Sequence, residues 1–239
     1  MHFHSESSSH PVTVRGDLYR PEGKSRSPAV IVLHTCGGAN PHVRDWGLRF
    51  QTAGYVALVV DSFYLRRFRR GCERGNFSNH VEDSLHDTLG AANYLRSLSF
   101  VEGDRIAVIG FSLGATAILS LPPESASRGI KAGVSYYPIC QARSDGRNFF
   151  KDSKIPLLVF LGEIDDWSPA SECVAKAEQF RKQGRTIEWK IYSGVHHGFD
   201  NESYVYAQTD RANRTMKYDK GAAADSWNVL KEFLEKNLQ

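Results

Sequence analysis

Short runs of apolar, largely β-branched residues recur along the chain, and within each run hydrophobicity is continuous rather than alternating. They are Pro28 to His34 (PAVIVLH), Tyr55 to Asp61 (YVALVVD), Arg105 to Gly110 (RIAVIG), Lys131 to Pro138 (KAGVSYYP), Pro156 to Gly162 (PLLVFLG) and Thr186 to Ser193 (TIEWKIYS). A strand apolar on both faces must be covered on both, the condition of a parallel sheet in an α/β fold. Val12 to Arg20 alternates more and predicts an antiparallel edge strand. Amphipathic stretches fill the intervals. Asn79 with Glu82 reads as a capping box, followed by an apolar stripe of Val81, Leu85, Leu89, Ala92 and Leu95. Ser168-Pro169 reads as N-cap and first residue of a helix ending near Gly184, and Trp227, Leu230, Leu234 and Leu238 line a last helix. Strands alternating with helices imply βαβ units around a mostly parallel central sheet with helices on both faces. The intervals are too short for a large cap domain.

The 239 residues fit one domain spanning the whole chain, with residues 1–11 expected as a flexible leader. A net charge of +3 is far from the basic face of a nucleic-acid binder, and no apolar stretch approaches the roughly 20 residues of a membrane span. Partners are therefore expected to be small molecules, with the protein a monomer or homodimer. The start of the chain lacks the apolar core of a signal peptide, and Cys36, Cys72, Cys140 and Cys173 form no CxxC pair. Reduced thiols in a cytoplasmic protein are expected.

The sharpest local signal is Gly110-Phe111-Ser112-Leu113-Gly114, a G-x-S-x-G match between a strand and a small-residue helix, Ala115 to Leu121. A turn this tight strains its central residue, and flanking glycines remove the Cβ atoms that would clash. Ser112 is thereby expected at the carboxyl end of the sheet as a nucleophile. A dinucleotide-binding turn would need glycine where serine stands, and no phosphate-binding loop is present, so no cofactor is expected.

A serine hydroxyl needs a base, usually a histidine oriented by a carboxylate, in the chain order Ser, Asp or Glu, His. Asp165 and Asp166 follow the Pro156 to Gly162 run, and His196 and His197 follow Ser193. Spacing to Pro169 favours Asp165, leaving Asp166 as a helix cap. Gly198 after His197 favours that histidine, leaving His196 packed or solvated. A metal site of His196, His197 and Asp200 would crowd onto one loop, without ligands from a second element. Oxyanion donors are expected at the backbone N–H of Leu113 and, from the loop His34-Thr35-Cys36-Gly37-Gly38, of Cys36. Phe63, Tyr64, Trp167 and Phe199 are candidates to line an acyl pocket, or simply packing. Arg66, Arg67, Arg69, Arg70 and Arg74 either hold an anionic substrate, with Arg66 foremost, or form a solvated loop.

These segments resemble the dienelactone hydrolase family of α/β hydrolases across nearly the whole chain. The likeness rests on HTCGGAN (His34 to Asn40), Asp61-Ser62-Phe63, GDRIAVIGFSLGA (Gly103 to Ala115), LGEIDDWSPA (Leu161 to Ala170) and HHGFD (His196 to Asp200), in order. The resemblance implies the α/β-hydrolase fold, a catalytic set of Ser112, Asp165 and His197, and oxyanion donors at Leu113 and Cys36. Members acting on dienelactone itself carry a cysteine nucleophile and two arginines for the substrate carboxylate. Here serine stands in the elbow, with Leu65 and Asn201 at the arginine positions. The expected function is a serine carboxylesterase or lactonase acting on small substrates. The alternatives are a thioesterase or acyltransferase on the same triad, or a catalytically silent binding protein on this scaffold.

Overall fold

The apolar runs become parallel strands in the computed structural model, which describes residues 1–6, 12–68, 70–72, 76–141, 150, 153–210 and 212–239. In chain order the strands and α-helices are β1 (His2–His4), β2 (Thr13–Tyr19), β3 (Ser27–Leu33), α1 (Pro41–Thr52), β4 (Val56–Asp61), α2 (Phe77–Ser97), β5 (Val101–Phe111), α3 (Leu113–Leu119), β6 (Ile130–Tyr136), β7 (Leu157–Gly162), α4 (Ala170–Lys182), β8 (Ile187–Tyr192), β9 (Gln208–Thr209), β10 (Thr215–Met216) and α5 (Lys220–Asn237). The main sheet has the order β1-β2-β4-β3-β5-β6-β7-β8. From β4 to β8 every pairing is parallel, whereas β2 pairs antiparallel with both β4 and β1.

Alternate residues of the central strands feed two cores. Ile31, Leu33, Val108 and Val159 face α2, α3 and α4, while Val30, Val32, Ile109 and Phe160 face α1 and α5. Burying each such aliphatic or aromatic side chain contributes roughly 1.5–3 kcal/mol. This two-sided covering is what continuous hydrophobicity demanded.

Several expectations are corrected. β2 is antiparallel but not the edge, because His2–His4 pairs outside it; the expected leader begins as a strand anchored by Phe3, and residues 7–11 lie outside the described residues. Asn76, not Asn79, precedes α2 and makes no side-chain cap bond. Pro169 takes the cap position of α4, since the Ser168 hydroxyl bonds the Pro138 carbonyl instead. α1 was not expected, although Asn40 caps it and Pro41 opens it, a readable start signal.

The cysteines are not free thiols: Cys36 bonds Cys72 and Cys140 bonds Cys173, with Cα atoms 4.9 and 5.0 Å apart. Chain separations of 36 and 33 residues hide both pairs. Parallel pairing brings the loops after β3 and β4 together, and likewise the loop after β6 and the start of α4 after β7. With the thiols paired, the ground for expecting a cytoplasmic protein falls. No helix among the described residues is long and apolar enough to cross a membrane.

Candidate active site

Ser112 stands between the last residue of β5 and the first of α3, so the chain reverses within one residue. Its φ of 51° and ψ of −105° lie outside the usual basins, a strain of about 1–3 kcal/mol. The turn closes because Gly110 and Gly114 carry no side chain. A Cβ on Gly110 would lie 2.5 Å from the Gly114 carbonyl carbon, and one on Gly114 would lie 2.6 Å from Leu33 Cβ. The Ser112 N–H donates to Tyr136 O at 3.0 Å and the Gly114 N–H to His34 O at 3.1 Å, tying the elbow to β6 and to the loop after β3.

The structure brings His197 to this serine. Its Nε2 lies 3.1 Å from Ser112 Oγ, and its Nδ1 lies 2.7 Å from Asp165 Oδ2. An ionised carboxylate only accepts, so Nδ1 carries the proton and Nε2 offers its lone pair to the hydroxyl. Asp165 is held in turn by the N–H groups of Trp167 and Ser168, at 2.8 and 2.9 Å on Oδ1. The three residues are 4–5% exposed, so solvent screens their interactions weakly. Such an arrangement can move a proton from hydroxyl to imidazole while a carboxylate stabilises the charge that develops. Asp166 instead accepts the Thr215 N–H and caps no helix. His196 leaves Nδ1 buried, without a hydrogen-bond partner among the described residues. Asp200 pairs with His42 at 2.6 Å and His197 Nδ1 with Asp165, and among the described residues no three histidine, cysteine or carboxylate side chains gather as metal ligands.

The loop after β3 is braced at three points. Gly38 N–H donates to Thr35 O, Gly71 N–H donates to Cys36 O, and the disulfide joins Cys36 to Cys72. His34 donates from Nδ1 to Thr35 O at 2.6 Å and receives the Ser62 N–H at Nε2; burial lowers its pKa, and it stays a neutral brace. Leu113 opens α3, where an N–H has no intrahelical acceptor.

The substrate-lining candidates fare differently. Phe63 is buried against His34, Phe68 and His80, and Phe199 is buried among Tyr136, Tyr137 and Tyr192, so both take part in core packing. Arg66 is already paired. Its guanidinium donates to both oxygens of Asp87, at 2.7 and 2.8 Å, and to the Ser62 carbonyl. Arg67 and Arg70 are exposed, and Arg69 and Arg74 lie outside the described residues. Trp167 does border the site: its ring stacks on His197 at 5.4 Å and the Arg214 guanidinium covers it at 3.6 Å. Arg214 comes from the β9–β10 segment, which also bonds the loop after β8 through Lys217 N–H to His197 O. Sequence reading missed this segment, whose two-residue strands carry no periodic signal.

Comparison with known proteins follows the same lines. The model of the dienelactone hydrolase family matches residues 14–238. Protein usf of Aquifex pyrophilus is 26% identical over 236 residues, covering 95% of each chain. A probable 2-oxo-3-(5-oxofuran-2-ylidene)propanoate lactonase of a Bradyrhizobium species is 27% identical over 194 residues, 76% of this chain and 77% of that one. Among solved structures, the dienelactone hydrolase-like promiscuous phosphotriesterase P91 from metagenomic libraries superposes with a TM-score of 0.76 at 18% identity, covering 100% of this chain and 98% of its own.

Proposed function

The chain belongs to the dienelactone hydrolase family, and from that premise we propose that this carboxylic ester hydrolase acts on small, uncharged esters or lactones through an acyl-serine. The observation that carries the reading is His197 spanning Ser112 Oγ and Asp165 Oδ2 in one hydrogen-bonded line. His197 takes the Ser112 proton as the oxygen attacks the acyl carbon. The oxyanion is held by the N–H groups of Leu113 and Cys36, and the protonated imidazole releases the alcohol. Water activated by the same imidazole then cleaves the acyl-serine, while Asp165 fixes the ring and its tautomer.

The Bradyrhizobium relative is named for a propanoate, an anionic lactone. Leu65 and Asn201 offer no cation, and Arg66 is already taken by Asp87. That supports a neutral substrate here. Trp167, beside His197, is the side chain best placed to touch it.

Ser112→Ala is expected to lower p-nitrophenyl acetate turnover by roughly 10³-fold or more with an unchanged circular dichroism spectrum. A fluorophosphonate probe is expected to label the parent protein at Ser112. Undiminished turnover in the variant would remove the serine from the mechanism, and an unlabelled parent would leave a binding protein on this scaffold.

A further inference from the structure

Two residues with positive φ lie side by side at the carboxyl end of the sheet. β5 and β6 pair in register up to Phe111 and Tyr136, so the next residues of each strand, Ser112 and Tyr137, are neighbours. Their φ values are 51° and 44°. Strain in a non-glycine residue persists only where its surroundings over-determine it. The elbow accounts for Ser112; Tyr137 needs another reason.

Its surroundings supply one. The Tyr137 ring lies 4.6 Å from the His197 ring, and its hydroxyl donates to Asp200 Oδ1 at 2.6 Å. Asp200 is buried and stands three residues beyond His197 on the same loop. Its other oxygen receives His42 Nε2 at 2.6 Å and Trp46 Nε1 at 2.9 Å. His42 and Trp46 belong to α1, which starts immediately after the loop carrying Cys36. A single buried carboxylate therefore gathers the end of β6, the base loop and the helix behind the oxyanion loop. Burial opposes ionisation of Asp200, and the attraction of His42 with three donated hydrogen bonds outweighs it, holding its pKa below the ordinary carboxylate value. Burial and the Asp200 charge keep the Tyr137 hydroxyl protonated, and so a donor. The Trp167 ring also packs against the imidazole, stacked at 5.4 Å. A cleft of about 630 Å³, lined by His42, Arg49, Asp200 and Asn201 among others, lies behind this network, and neither Ser112 nor His197 borders it.

We propose that Tyr137 and Asp200 are positioning residues for His197: the carboxylate anchors the tyrosine ring against the imidazole, which keeps Nε2 aimed at Ser112. The proposal rests on His197 being the base and adds what holds it there. Neither residue touches the reacting atoms, so substrate affinity is unaffected while the chemical step depends on both.

Tyr137→Phe keeps the ring and removes only the hydroxyl. It is expected to lower kcat for p-nitrophenyl acetate by between about 10- and 100-fold, the scale that misplacement by about 1 Å costs, with KM within two-fold of the parent. Asp200→Asn is expected to lose at least as much. Tyr192→Phe is the control: it removes a tyrosine bond to a different carboxylate, Asp225 of α5, while keeping the ring, and should leave kcat unchanged. The Nδ1 proton resonance of His197, recorded without substrate, should shift in Tyr137→Phe and stay in place in Tyr192→Phe. That resonance reports on imidazole placement whatever Ser112→Ala shows, which separates this proposal from the serine reading. Parent-like kcat and an unmoved resonance in folded Tyr137→Phe would overturn it, as would a kcat loss accounted for wholly by unfolded protein.

Discussion

At the end of β4 the Arg66 guanidinium is spent on a carboxylate with no exposed surface, Asp87. Removing one partner of such a pair strands a buried charge, at a cost of about 3–5 kcal/mol. Arg66→Ala is therefore expected to lose stability of that order in urea unfolding, while KM for an anionic ester stays within two-fold; a large rise in KM at parent stability would restore Arg66 as a substrate ligand. Gly114 shows the converse constraint, space rather than charge. A methyl group there would meet backbone at His34 O, 2.8 Å away, as well as Leu33 Cβ, and neither is a flexible side-chain end that can swing aside. Gly114→Ala should shift the elbow, costing about 1–3 kcal/mol and roughly 10²-fold in kcat, measured by thermal unfolding beside ester turnover.

The elements are fastened together at the edge that carries the site. α5 is capped by Asp219, whose side chain accepts the Ala222 N–H at 2.8 Å while its own N–H donates to Phe199 O in the loop after β8. The cap thus serves a helix and a loop at once. Cys36–Cys72 joins the loop after β3 to the loop after β4. Closing a loop of 36 residues stabilises by roughly 3–4 kcal/mol in the chain-entropy model. Cys72→Ser is expected to lower unfolding stability by that amount, and added reductant should bring the parent lower still, because it also opens Cys140–Cys173. If reductant leaves the parent's urea midpoint unchanged, this crosslink does not bear load in solution.

For the whole molecule, the aromatic core sets the alkaline limit. Burial raises Tyr136 and Tyr137 well above the ordinary tyrosine pKa, and burial with the Asp225 bond raises Tyr192. In the unfolded chain these phenols ionise near pH 10. Above that pH the folded state holds more protons than the unfolded one. Stability is then complete below about pH 10 and falls as pH rises, by about 1.4 kcal/mol per pH unit for each such tyrosine. Absorbance at 295 nm should rise for these residues together with loss of circular dichroism, and Tyr137→Phe should flatten the decline by one tyrosine's share. Their ionisation within an intact fold would contradict the expected coupling.

Hydrophobic pattern is local, and what it governs was legible: the six apolar runs correspond to the six parallel strands within a residue or two at each boundary, apart from an earlier start for β5 at Val101. The elbow was legible for the same reason, since a strand, two glycines and a serine within five residues leave the chain few ways to turn. Pairing across the fold was not. Cys36 and Cys72, Arg66 and Asp87, Tyr137 and Asp200 meet because the parallel sheet brings loops and helices that are distant in the chain together. No periodicity encodes which side chain each loop turns inward. The sequence determined the layers and the order of the reactive groups along the chain. Burial in the assembled fold decided which charges were free, which thiols were paired and what stands behind the imidazole, because those depend on neighbours that are remote in the chain.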